Sequence, residues 1–381
     1  MVKIIKLKAK AIKDSGGKLT PEVVLETGTG KTKASVPSGV SKGKYEAVEK
    51  EAKKAVKNVN EIIGPKLKGK DVFQQEKIDK FLIKLDGTKN KSRLGANALL
   101  AVSIAVLRAG AKAKKVPLWK YISQIAKTKP GLVSPAVLMI EGGKHSKAGL
   151  PFQEFMLIPE GKTFKEKLGR GIKIYQRLGR MLKKKYGRAG LVKGAEGAFT
   201  PPLKEIKKVL DLLMLARGKD KAKIIIDAAA SYLRNRPRPE YYLGLAKEYP
   251  ILAIEDPFSE KDWSAWKALN SKLLIIGDDL TVTNPERIRL AERRKACKGV
   301  IIKPNQIGTF TETILAARLA KSYGWKVMVS HRAGETKDDF IADLAVGLGA
   351  DYIKAGAPSR PERMVKYKRL LEIEREIKKH G

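Results

Sequence analysis

One cysteine, Cys297, occurs in 381 residues. That excludes a disulfide framework and a cysteine-ligated zinc site, and it fits a reducing, cytoplasmic compartment. Acidic residues are few: 40 Asp and Glu stand against 79 Lys and Arg, a net charge of +39. The positive charge is spread along the whole length rather than held in a tail. This describes a basic surface on an ordinary fold, one that attracts polyanions such as RNA or acidic membrane surfaces. A thermophile's surface balances lysine with glutamate, and this one does not. No apolar run reaches the roughly 18 residues needed to cross a membrane. Lysines interrupt the opening MVKIIKLKAKAIKDSGG, which leaves no signal-peptide core. What is present is 43% hydrophobic, enough for a large core, and the length suits two or three domains at roughly 100–200 residues each.

The first 60 or so residues read as strands and turns. Lys3–Lys13 alternates weakly, and Pro21–Thr27 and Thr32–Pro37 flank a hairpin turn at Gly28-Thr29-Gly30-Lys31. The Gly28–Thr32 stretch mimics the end of a phosphate-binding loop, but that motif needs a glycine at the position of Leu25. A helical period runs from Tyr45 to about Gly64, and an Ala/Leu-rich helix from Gly95 to Ala113. Lys127–Pro135, with two prolines and a glycine, reads as a linker. The expected division is a small α+β domain over 1–126 and a larger α/β domain over 135–381.

In the second part short apolar runs recur, each ending in a polar residue: Asp227, Glu255, Asp278, Lys303, His331 and Lys354, spaced 23 to 28 residues apart. A strand, a helix and two loops need about that length. Six such units predict a parallel barrel or a doubly wound sheet, with function at the C-terminal strand ends. Asp227, Glu255 and Asp278 would converge at one mouth. Three buried anions repel unless a cation neutralises them, and an all-oxygen donor set favours a hard ion, Mg²⁺. Lys303, near a cation and partly desolvated, suits a general base of lowered pKa. His331, Arg332 and Lys354 form a positive set for phosphate or carboxylate. Together they suggest proton abstraction beside a metal-bound carboxylate, with the enolate-like product stabilised by metal and Lys354.

These residues and their flanks resemble the enolase family over nearly the whole chain. The stretches are Val36-Pro37-Ser38-Gly39-Val40-Ser41-Lys42-Gly43, Gly95-Ala96-Asn97-Ala98, Gly142-Gly143-Lys144-His145, Gln153-Glu154-Phe155-Met156, Ile254-Glu255-Asp256-Pro257, Asp278–Pro285, Lys303–Thr309 and Ser330–Thr336, all in the family's order. Use of a Lys or His base with one or two Mg²⁺ is a known pattern of the superfamily. The resemblance implies an N-terminal capping domain carrying a mobile loop, then a (β/α)8, TIM-like barrel whose first strand lies at Gln153–Met156. It implies dehydration of 2-phospho-D-glycerate to phosphoenolpyruvate in glycolysis, by a homodimer or octamer. In that scheme Asp227, Glu255 and Asp278 bind the tighter Mg²⁺, and Ser41 approaches a second. Lys303 removes the C2 proton. Glu196 protonates the departing C3 hydroxyl, with Glu154 assisting. Gln153, Ser330 and Lys354 contact the substrate, Arg332 binds its phosphate, and His145 and His331 close over it.

Taken alone, several of these residues have plainer readings. Glu196 would be a solvated loop carboxylate, His145 a surface histidine, Lys354 one lysine among many and Ser41 a turn serine. Trp263 and Trp266 read as packing residues on one helix. The chain also departs from the family pattern at Ala333, where a serine is usual, and at Gly16, Ala195, Ala198 and Pro304. The competing functions are another lyase or isomerase of the superfamily, and a basic RNA-binding protein on a degenerate scaffold.

Overall fold

The computed structural model describes residues 1–39 and 43–380. An antiparallel sheet opens the chain: β1 (Ile4–Lys13), β2 (Leu19–Thr27) and β3 (Gly30–Ser35), in that order. Thr27 pairs with Gly30 across β2 and β3, so Gly28-Thr29 is a two-residue hairpin turn and not a phosphate cradle. Val23 and Leu25 point to one buried face, where the helix Ala96–Ala113 covers them. Among the described residues this is the one helix long and apolar enough to cross a membrane, and it spans the Ala/Leu-rich stretch expected to be helical. Most of it is buried inside the fold, as the core of the N-terminal unit.

The helix expected from Tyr45 begins only at Ala52. Residues 43–51 commit their polar groups elsewhere: the amides of Ala47 and Val48 donate to the carbonyls of Gln306 and Asn90, each at 2.8 Å. Tertiary partners outweigh a helical period when they take the backbone donors the helix would use.

The larger unit is a closed eight-stranded barrel, not an open sheet. Its strands are β4 (Ser134–Glu141), β5 (Glu154–Pro159), β6 (Ala222–Asp227), β7 (Ile251–Glu255), β8 (Leu274–Gly277), β9 (Gly299–Ile302), β10 (Lys326–Ser330) and β11 (Tyr352–Lys354). The six expected strands are β6–β11. Gln153–Met156 leads into the second barrel strand; the first is β4, which starts inside the stretch expected to be linker. Ile224, Ile225 and Ile226 are all fully buried, because parallel strands under helices are covered on both faces. That is why these strands show as runs without alternation.

β5 runs antiparallel to both β4 and β6. Its first residue, not its last, therefore lies at the mouth, and Glu154 pairs directly with Asp227. The N-terminal unit is fastened to the barrel by Arg108, which holds Asp338 at 2.7 Å and Asp339 at 2.9 Å. Buried Asp79 also accepts the Thr311 amide at 2.9 Å.

Candidate active site

Barrel order places the strand ends around a ring. β5 and β9 lie four strands apart, as do β7 and β11, so each pair faces across the mouth. Glu154 thus opposes Lys303, and Glu255 opposes Lys354. Lys354 bridges the ring: its Nζ lies 2.9 Å from Glu255, 3.1 Å from Glu154 and 3.2 Å from Asp227. Gln153 donates from Nε2 to the same Asp227 carboxylate at 3.2 Å. These side chains are buried, so Lys354 is not a solvated lysine. Burial would lower its pKa, but Glu154, Glu255 and Asp227 hold it well above the usual lysine value.

Lys303 binds Asp278 through Nζ, and Gln306 Nε2 donates to the other Asp278 oxygen at 2.8 Å. The expected lowering of the Lys303 pKa rests on a cation beside it; the protein's own groups act the other way. Burial does push it down, but the Asp278 carboxylate outweighs burial and the net direction is up. The Asp278 turn is held in place by Asp256, whose carboxylate accepts the amides of Asp278 at 2.9 Å and Asp279 at 2.7 Å.

A second cluster surrounds Glu196, which is 2% exposed and so not the solvated loop carboxylate its flanks suggested. His331 Nε2 lies 3.0 Å from Glu196 Oε2. His145 is likewise buried, with Nδ1 3.7 Å from both Glu154 and Glu196 and neither ring nitrogen hydrogen-bonded. Glu141 accepts the amides of Glu196 at 3.0 Å and Ala198 at 2.7 Å, which fixes the loop. The two facing carboxyls are driven apart. Burial and the Glu196 charge raise Glu154 well above the carboxylate range. Burial would raise Glu196 too, but His331 and His145 bring it well below. The pair titrates as a unit, and its two carboxyls lean in opposite directions.

Arg332 is gripped by Glu46, at 2.9 Å and 3.2 Å, and donates to Asn305 Oδ1 at 3.3 Å. Ser330 is buried beneath it, its hydroxyl donating to the His331 carbonyl at 3.0 Å. Ser41 lies outside the described residues. The structure thus brings together Gln153, Glu154, Asp227, Glu255 and Lys354, sets Asp278 with Lys303, and groups His145, Glu196 and His331. Sequence reasoning missed Glu46, Glu141, Asp256, Gln306 and Arg363. Asp256 and Gln306 stand inside the recognised stretches; the other three carry no local signal, because distant chain segments bring them in.

A divalent cation is tested by donor chemistry. Asp227, Glu255 and Asp278 offer oxygen alone, and burial with the Asp227 charge raises Glu255 to about 8. Such a set gains from positive charge, so it fits a hard ion. Among the described residues, the groups whose ligand atoms lie within 4.8 Å of one another are His145–Glu154–Glu196 and Asp256–Asp278–Asp279. The expected trio is wider than this, since Asp278 is drawn to Lys303 while Asp227 and Glu255 hold Lys354.

Comparison with known proteins agrees with this architecture. Residues 4–122 match the family model described as enolase, N-terminal domain. Residues 130–238 and 234–381 match that of enolase, C-terminal TIM barrel domain. The chain is 44% identical to an enolase of Eimeria tenella over 429 residues, covering 99% of this chain and 96% of that protein.

Proposed function

Because the chain belongs to the enolase family and is a lyase of the phosphopyruvate hydratase type, we propose that it dehydrates 2-phospho-D-glycerate to phosphoenolpyruvate, with Mg²⁺, as a step of glycolysis. The observation that carries this reading is the position of Lys303 across the barrel mouth from Glu154, the partner of Glu196, with Lys354 bound to Glu154. A base and a proton-bearing pair on opposite sides of a three-carbon substrate are what elimination of water requires. Formation of phosphoenolpyruvate, followed by absorbance with and without chelator, tests it; no rise with Mg²⁺ present sinks the reading.

Lys303 takes the C2 proton, and the Glu154–Glu196 pair returns one to the departing C3 hydroxyl. Arg332 holds the phosphate once Glu46 yields it, and Lys354 and Gln153 contact the substrate. His145, with both nitrogens unpaired, is available to cover it, and His331 steadies Glu196. Asp227, Glu255 and Asp278 would hold one Mg²⁺, and Ser41 would approach a second. The metal supplies positive charge against the carboxylate and enolate of the reacting acid. Residues 1–126 serve as the cap and 135–381 as the barrel domain of a cytoplasmic homodimer or octamer.

Ala333 removes a hydroxyl beside the phosphate-binding Arg332. Ala333→Ser should lower KM for 2-phosphoglycerate roughly fivefold, on the order of 1 kcal/mol for one added hydrogen bond. An unchanged KM in steady-state assays would mean another donor already fills that place.

Polyanion binding is a second reading, favoured by the helix Phe164–Tyr186, where nine Lys or Arg accompany a single acid, Glu166. Lys173, Arg180, Lys183 and Lys184 are exposed and form no ion pair among the described residues. Random RNA should therefore bind at low salt, with affinity falling about log-linearly as salt rises. Filter binding that shows no complex at low salt, or one unchanged at ~0.5 M, would overturn it.

A further inference from the structure

Arg363 lies in the first turn of the helix Pro361–His380 and is completely buried. Its one ion pair among the described residues, to the adjacent Glu362, spans 3.8 Å. Its N–H groups go elsewhere: to the carbonyls of Arg332 and Ala333, each at 2.7 Å, to that of Ala195 at 3.4 Å, and to Nδ1 of His331. A guanidinium has five donors, no acceptor, and does not lose its proton in a protein. The His331 Nδ1 facing it must therefore present its lone pair. The ring's remaining proton then sits on Nε2, which lies 3.0 Å from Glu196 Oε2, although neither atom makes a hydrogen bond there.

We propose that Arg363 is a positioning residue that locks His331 in the neutral Nε2–H tautomer and so keeps an N–H, not a lone pair, beside the Glu196 carboxylate. Its kinetic consequence rests on the reading of Glu196 given above; the tautomer assignment does not.

The backbone is shaped to let these groups meet. Gly356 has φ +86°, and a Cβ there would lie 2.8 Å from Arg363 Cδ, 3.0 Å from His331 Cε1 and 3.1 Å from the Glu196 carbonyl. Three chain segments converge over a residue that has no side chain. The charged groups facing His331 are Glu196 from the loop that follows the helix Phe164–Tyr186, Arg363 from the C-terminal helix and Lys354 from β11. Burial lowers the imidazole to about 3, against the pull of Glu196 and with the help of Arg363 and Lys354. A protonated ring is thus no competitor to the locked tautomer near neutral pH.

The test is ¹⁵N NMR of the full chain labelled at histidine, with a His331→Asn variant to assign the ring. The proposal expects a pyridine-type Nδ1 and a pyrrole-type Nε2, unchanged from about pH 5 to 9. Arg363→Met should release the ring, giving mixed tautomers or a titration in that range and a new ionisation in the pH–rate profile. Its kcat should fall roughly 100-fold with KM within about threefold, and Arg363→Lys should recover most of the loss. An Nδ1–H or protonated ring in the unaltered protein would overturn the proposal. So would a folded Arg363→Met variant with tautomer and pH profile unchanged. If Arg363→Met does not fold, the unaltered protein's spectrum and the lysine variant decide. Failure of the unaltered chain to dehydrate 2-phosphoglycerate would sink the reading of the site, while the spectrum would still judge the tautomer.

Discussion

Replacing Lys303 by alanine should abolish exchange of the substrate's C2 proton with solvent and lower turnover by at least roughly 10³-fold, within the range set by loss of a general base. Lys303 stands at the end of β9 with Glu154 opposite, and its amine companion among the described strand ends, Lys354, is held by three carboxylates. Among the described residues no other side chain is placed to take over. Glu196→Gln should behave differently. It leaves Lys303 and Asp278 in contact, so C2 exchange should persist while release of water stops. Exchange measured by loss of deuterium from C2, alongside phosphoenolpyruvate formation, separates the two roles. Equal loss of exchange in both variants would show that base and acid are not divided in this way.

Asp278→Ala should be as severe, for two reasons that different measurements distinguish. It removes one of three oxygen donors, so Mg²⁺ affinity by titration calorimetry should fall steeply, and excess EDTA should reproduce the loss of activity in the unaltered protein. It also strands Lys303, whose side chain is 11% exposed and paired to Asp278. Removing one partner of a buried pair destabilises by about 3–5 kcal/mol, so the melting temperature should drop as well. Asp278→Asn keeps the shape and a polar oxygen, and should separate the electrostatic loss from the cavity. Full activity in excess EDTA would end the metal assignment.

The barrel was legible in the letters because parallel strands buried on both faces leave apolar runs, and because each run stops at a polar residue where the chain turns out at the mouth. β6–β11 show this, and so do the residues at their ends. β4 was hidden by the prolines around it, and the true start of the first helix by tertiary bonds that no local pattern encodes. The chemical identity of the strand-end residues was a property of the sequence. Their states of charge were not. Lys303 is raised rather than lowered because a carboxylate 25 positions away lies against it. Glu154 and Glu196 part because they share a buried space in which His331 lies against Glu196 while His145 is 3.7 Å from both. Glu46 and Arg363, separated by 286 and 32 positions from the residues they grip, carry no signal in spacing or period. Sequence determines which groups reach the mouth, since strand periodicity and loop length act locally. Only the closed barrel decides which of them touch, because Coulomb interaction and desolvation depend on distance through space and not along the chain.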